Sequence, residues 1–431
     1  MNSKITKLFL AGFLAVICFT NIKTRAEAVK VELVKSGSNW QLMRDGKPFF
    51  IKGAGITAGS PLEKLKQAGG NSVRIWGTEL APSVLDEAQK LGLTVTVGIW
   101  MHHENDTEKF SYDNEKMVKD QQELVRQQIL KYKDHPAVLL WGIGNEMEGY
   151  KAGNKPEIWK AVNDAAKLAK ELDPNHPTMT VFAEVGGERV ACVHKYCPDI
   201  DIVGLNTYAG ASSIGERYAK LNGTKPYIIT EFGPPGAWET AKTAWGVPVE
   251  PGSTSKADSY LKSYHGSIEQ KPLCLGSYAF LWGSKQETTA TWYGMFLKDG
   301  TKLQAVDVIS ELWTGKPAAD PCPVINQLKI NGPDTIAPET TFSANLDASD
   351  PGKQPLQVRW VVQPEQDKRS SGGAEEPVLP ELTAAIVKGD NTQVEVRAPQ
   401  KPGGYRLFVY VRNGAGAAVA NVPFKVEYTK P

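Results

Sequence analysis

Two glutamates, Glu146 in Gly144-Asn145-Glu146 and Glu231 in Thr230-Glu231-Phe232-Gly233, each stand where an apolar, strand-like run gives way to a loop. The runs are 138–143 (Val-Leu-Leu-Trp-Gly-Ile) and 227–229 (Tyr-Ile-Ile). Two carboxylates on separate strand ends suit cleavage of a glycosidic bond with retention: one protonates the leaving oxygen and the other attacks the anomeric carbon. A lone glutamate at a strand end needs only water as a partner, so the inference rests on the pair and on Asn145 beside the first. Their separation of 85 residues is close to what three βα units occupy.

The elements that would bring them together are legible as eight apolar strands: 49–56, 71–76, 93–100, 138–145, 178–183, 202–208, 227–232 and 276–282. Helical patterns separate most of them, at 61–68, 82–91, 115–132, 156–172, 214–221 and 255–269, with a last one at 303–313. Ser60-Pro61-Leu62-Glu63 reads as a capping box with proline at the first helical position. Such alternation predicts a (β/α)8 TIM barrel, in which the C-terminal strand ends converge on one face and distant glutamates can meet across one sugar. Residues 29–50, with a turn at Asp45-Gly46, read as a hairpin leading into the barrel.

After Gly315 the texture changes. The expected division is a signal peptide over 1–28, a catalytic barrel with its hairpin over 29–315, a proline-punctuated linker over 316–323, and a sandwich over 324–431. Seven short alternating runs in about 100 residues predict an immunoglobulin-like β-sandwich, interrupted by a polar loop at 364–377.

Lys4 and Lys7 before the apolar run 8–19, and Ala26-Glu27-Ala28 after it, read as a cleavable secretory signal, which places the protein outside the cell or in the periplasm. That run is too short for a membrane span. Loss of residues 1–28 turns a formal net charge of +1 into −2, a balance that draws neither nucleic acid nor an anionic membrane. Of the remaining cysteines, Cys192, Cys197, Cys274 and Cys322, the close pair Cys192/Cys197 is expected to form a disulfide in an oxidising compartment. His102-His103-Glu104 mimics a metal cluster, but adjacent residues rarely aim at one ion; sugar contacts through His103 are expected instead, with no metal or cofactor. Gly53-Ala-Gly55-Ile-Thr-Ala58 mimics a dinucleotide fingerprint, yet the next helix starts only after Ser60.

Residues 43–148 resemble the barrel of glycoside hydrolase family 2 and, more broadly, the clan A retaining hydrolases. The matching strings include Arg44-Asp-Gly-Lys-Pro-Phe-Phe-Ile-Lys-Gly, Asn71-Ser-Val-Arg-Ile-Trp and Asp134-His-Pro-Ala-Val-Leu-Leu-Trp-Gly-Ile-Gly-Asn-Glu. Lys225-Pro-Tyr-Ile-Ile-Thr-Glu-Phe-Gly continues the likeness on strand seven. The resemblance implies Glu146 as acid/base and Glu231 as nucleophile, Arg74 paired with the nucleophile, Asn145 on the sugar 2-hydroxyl, and Tyr208 bonded to the nucleophile. Asn206 joins this rim, and Trp282 is implied as the aromatic floor under the cleaved sugar. Trp76, Trp100 and Trp292 are weighed as further platforms or as core.

The chain departs from that family where Ile75-Trp76-Gly77 stands in place of a histidine and tyrosine, and in lacking the sandwich domains that usually precede the barrel. An unobstructed groove and endo action on a β-glycan such as a β-1,3-glucan are therefore expected of a monomer whose partner is an oligo- or polysaccharide. A transglycosylase with the same glutamates and an inactive carbohydrate-binding surface protein are the alternatives.

Overall fold

The computed structural model of the chain describes residues 27–149, 151–366 and 373–428. The signal-peptide reading lies outside them apart from its last two residues. Eight parallel strands close into a barrel: β1 (Ile51–Gly55), β2 (Ser72–Ile75), β3 (Thr94–Ile99), β4 (Val138–Asn145), β5 (Thr178–Ala183), β6 (Ile202–Asn206), β7 (Tyr227–Phe232) and β8 (Cys274–Ala279). The expected TIM barrel is present. Its strands are nearly continuous apolar runs because both faces are covered, by helices outside and packed side chains within. Closure requires β8 to pair with β1 from Gly276↔Ile51 to Ala279↔Ala54. Gly276 adopts φ +124°, and a side-chain carbon there would collide with the Ile51 backbone. Only glycine allows so close an approach.

Helices fill the βα connections largely where the pattern places them, for example Glu115–Tyr132 and Pro156–Leu172, whose apolar faces join the main core. Two readings change. Ser60 does not cap the helix Leu62–Gln67; its hydroxyl accepts from Thr57 N–H at 3.0 Å and closes the preceding turn instead. A helix at Arg189–Tyr196, absent from the sequence-based pattern, links β5 to β6. It carries Cys192 and ends at Cys197, and these thiols do not bond to each other; all four described cysteines are reduced and buried. Five residues along a helix turn two side chains to different faces, so the short sequence spacing is no guide to a bridge. The Cys197 thiol donates to the Trp159 carbonyl.

The N-terminal hairpin, strands Val31–Ser36 and Asn39–Arg44, plugs the end of the barrel remote from the catalytic loops. Val31 and Leu42 enter a buried cluster with Ile51, Leu139, Leu140 and Met179 from the strand starts.

The C-terminal part is a β-sandwich: β9 (Val324–Asn331), β10 (Thr335–Ile336), β11 (Thr341–Ser349), β12 (Gln357–Pro364), β13 (Ile386–Gly389), β14 (Gln393–Arg397), β15 (Gly403–Arg412) and β16 (Ala417–Val426). They form two four-stranded sheets, β9-β11-β14-β13 and β10-β16-β15-β12, around a single apolar core. The sandwich is docked on the barrel. Leu297 and Leu303 pack with Val361, Phe408, Ala417 and Val419. Arg406, almost wholly buried, donates to the carbonyl of Pro248 at 2.6 Å and to Asn421 at 2.7 Å.

Candidate active site

β4 ends in Asn145, and Gly144 and Glu146 both adopt left-handed backbone, with φ of 68° and 51°. That conformation is uncommon for a glutamate and aims its side chain across the barrel mouth rather than along the strand. β7 delivers Glu231 from the opposite side, and β6 delivers Asn206 between them. The Asn206 amide nitrogen donates to Glu146 Oε1 at 2.6 Å and to Glu231 Oε1 at 2.9 Å. One nitrogen therefore bridges both carboxylates. Their oxygens can stand no further apart than the sum of two hydrogen bonds, within the roughly 5–5.5 Å that retention requires.

Four donors surround Glu231. Oε1 accepts from Arg74 at 3.0 Å, from the Trp76 indole at 2.7 Å and from Asn206; Oε2 accepts, among the described residues, only from the Tyr208 hydroxyl, at 2.7 Å. Arg74 is buried and also donates to Asn145 Oδ1 at 2.6 Å, so one guanidinium ties both strand ends together. Burial and the nearby Glu231 charge push the Tyr208 hydroxyl well above its ordinary value, so it stays a donor. Glu146 differs. Burial, then the Glu231 charge, raise its carboxyl to about 7, against weaker opposition from Asn206 and Arg74. One carboxyl thus holds its proton near neutrality beside another in a nest of donors, the division that acid and nucleophile demand.

Arg74, Asn145, Asn206 and Tyr208 converge on the two glutamates. His103 stands one step back: its Nε2 bonds the Asn145 carbonyl at 2.8 Å, so it braces the strand end rather than lining the cleft. Trp282 is not the floor. Its ring is fully buried against Phe296 and Trp313, and its indole donates to the Pro61 carbonyl. Trp292 is likewise buried. Phe280 occupies the floor instead, with ring centroids 5.8 Å from both Trp76 and Tyr208 and 5.6 Å from Tyr293. The signal for Trp76 was in reach: it directly follows β2, two residues past Arg74, where the strand's alternation would carry it to the same face. No comparable signal marked Phe280.

The cleft encloses about 810 Å³. Trp100 lies tilted against His103, ring centroids 5.5 Å apart, on the Glu146 flank, and Trp238 stands edge-on to Tyr208 on the Glu231 flank; they are 46% and 65% exposed. Glu184, Glu239, Glu287 and Glu375 join Glu146 and Glu231 along its walls. Among the described residues no group of three His, Cys, Asp or Glu side chains has the geometry of a metal site.

Residues 65–242 match the model of the glycosyl hydrolases family 2 TIM barrel domain. Among curated relatives, a β-glucuronidase of Streptococcus agalactiae serotype V is 27% identical over 233 residues, 46% of this chain and 37% of the relative. Among solved structures, β-D-glucuronidase from Dictyoglomus thermophilum superposes with a TM-score of 0.52 at 18% identity, over 67% of this chain and 54% of that one. The β-glucuronidase of Bacteroides uniformis gives 0.51 at 16% identity over 93% of this chain and 48% of its own. The chain therefore spans about a third to a half of the length of these relatives. The stretch of barrel that carries Glu146 and Glu231 is thus similar to the TIM barrel domain of the glycosyl hydrolases family 2.

Proposed function

We propose that this chain hydrolyses β-glycosides with retention, Glu146 serving as acid/base and Glu231 as nucleophile. The observation that carries the reading is the Asn206 amide bridging the two carboxylates, one of them raised to about 7. In the first step Glu146 gives its proton to the leaving oxygen while Glu231 bonds the anomeric carbon. Oε2 is the attacking oxygen in this scheme, since three donors already occupy Oε1 and only Tyr208 engages Oε2. Forming the ester removes the Glu231 charge, which lets the Glu146 pKa fall, so the same side chain then draws a proton from water. Asn145 is assigned to the sugar 2-hydroxyl.

A neutral β-glycan, a β-1,3-glucan among the candidates, is the substrate we favour, cut internally. Glutamates outnumber cations along the cleft, and of the cations Arg189 is tied to Glu148 at 2.7 Å and Lys285 to Glu287 at 2.7 Å. Such a wall disfavours an anionic sugar. Exposed tryptophans on both flanks of the carboxylate pair offer flat faces to sugars on either side of the cut bond. The N-terminal apolar stretch supports action outside the cytoplasm. A β-glucuronide is the second reading, suggested by the relatives and by Lys242 and Lys285 within the cleft. Initial rates on aryl β-glucoside and aryl β-glucuronide, with proton NMR of the first anomer released, test both readings. Faster glucuronide turnover overturns the neutral substrate, and an inverted first product overturns the mechanism.

A further inference from the structure

The connection after β8 carries Lys285 and Glu287 into the cleft, beside the floor ring: Lys285 Nζ lies 5.5 Å from the centre of Phe280. Glu287 is near enough to Glu231 for the two charges to oppose each other, so this connection stands at the nucleophile's end, where the sugar that becomes bonded to the enzyme must lie. Glu287 and Thr289 exchange backbone hydrogen bonds in a tight turn. Barrel and sandwich both hold this turn.

From one side, the segment 373–376, which follows β12 in the sandwich, lies along it. Lys285 donates to the Gly373 carbonyl, Glu376 N–H donates to the Gln286 carbonyl at 2.8 Å, and the buried Glu376 carboxylate accepts from Thr288 N–H at 2.8 Å. From the other side, the Thr289 and Thr291 hydroxyls donate to Glu250 at 2.7 and 2.8 Å. Glu250 is in turn anchored by Lys256 at 2.5 Å and by Asn421 of β16 at 2.6 Å. Gly373 and Glu375 themselves line the cleft.

We infer that the sandwich is a working part of the substrate site: segment 373–376 forms the wall at the nucleophile's end, with Glu375 meeting sugar hydroxyls beyond the cleaved residue and Glu376 acting as a positioning residue for Lys285 and Glu287. This inference rests on the glycosidase reading above. A carboxylate is a pure acceptor, and a hydroxyl-rich neutral sugar supplies donors for it. A substrate long enough to reach the wall gains these contacts; a single sugar on an activated leaving group does not.

The test uses the full chain, with 4-nitrophenyl β-glucoside as the short substrate and a β-1,3-linked glucopentaose as the long one. Glu376→Ala should lower kcat/KM on the pentaose about tenfold more than on the aryl glucoside, with the difference in KM rather than kcat. Glu376→Gln keeps an acceptor for Thr288 N–H and should restore most of the loss. Glu375→Gln should raise the pentaose KM severalfold. Equal losses on both substrates, or failure of the glutamine variant to rescue a folded protein, would overturn the inference while leaving the glycosidase reading intact. If the unsubstituted protein hydrolyses neither substrate, nor any other β-glycoside, both fall together.

Discussion

At the residue scale the site is governed by one amide and two carboxyls. On the proposed mechanism Glu146→Gln removes the proton donor and Glu231→Gln the nucleophile, and each should cut turnover of an unactivated glycoside by at least about 10³-fold. Azide should restore activity to Glu231→Ala and yield a glycosyl azide of inverted configuration, read by NMR; no rescue would remove the nucleophile assignment. The Glu146 carboxyl must be protonated for the first step, so kcat/KM should decline as pH rises through about 7. Glu231→Gln removes the second-largest cause of that raised value and should move the Glu146 titration downward, followed by 13C NMR of the labelled carboxyl. Stability follows the same group. A carboxyl raised in the fold stabilises it fully below its unfolded value, and that contribution is lost as pH rises from about 4.5 through about 7. Glu146→Gln should therefore leave the melting temperature nearly unchanged at pH 4.5 and raise it at pH 8, by the equivalent of roughly 3 kcal/mol.

At the element scale, the barrel could be read from the sequence because its strands are apolar on both faces and its helices amphipathic, two periods that do not mimic each other. Glu146, Glu231, Arg74, Asn206 and Tyr208 were readable for the same reason: each stands at or just past the C-terminal end of a strand. Trp282 was misread because β8 begins at Cys274 and is finished by Ala279, so the tryptophan lies beyond the strand end and Phe280 lines the cleft in its place. The helix Arg189–Tyr196 was missed because eight residues give little periodicity, and its cysteines drew attention to a bridge instead. In the sandwich, β16 begins in the alanine- and glycine-rich stretch after Gly414, a composition that reads as a turn although Ala417–Ala420 are buried. Closure of the barrel offers a sharp test. Gly276→Ala forces a side chain into left-hand φ space against β1 and should cost more than about 2 kcal/mol in denaturant unfolding, whereas the same change at exposed Gly332 should cost less.

At the scale of the whole molecule, the sandwich is not a tethered appendage. A buried apolar cluster joins it to the barrel, and Arg406 and Glu250 carry charged side chains through the seam to the Pro248 carbonyl and to Asn421. No sequence pattern announces such docking, because the contacts pair residues 71 to 171 positions apart and each partner reads as ordinary core of its own domain. Phe408→Ala opens that seam and should destabilise the protein by about 3–5 kcal/mol, seen as an earlier or split thermal transition.

The hairpin that seals the barrel's far end has a consequence for orientation. Val31 N–H bonds the Asn175 carbonyl just before β5 begins, so the chain enters on the side opposite the catalytic loops. A support, surface or fusion partner joined ahead of Val31 would thus sit behind the molecule, and the mouth holding Glu146 and Glu231 would look outward, open to a polymer too large to diffuse around it.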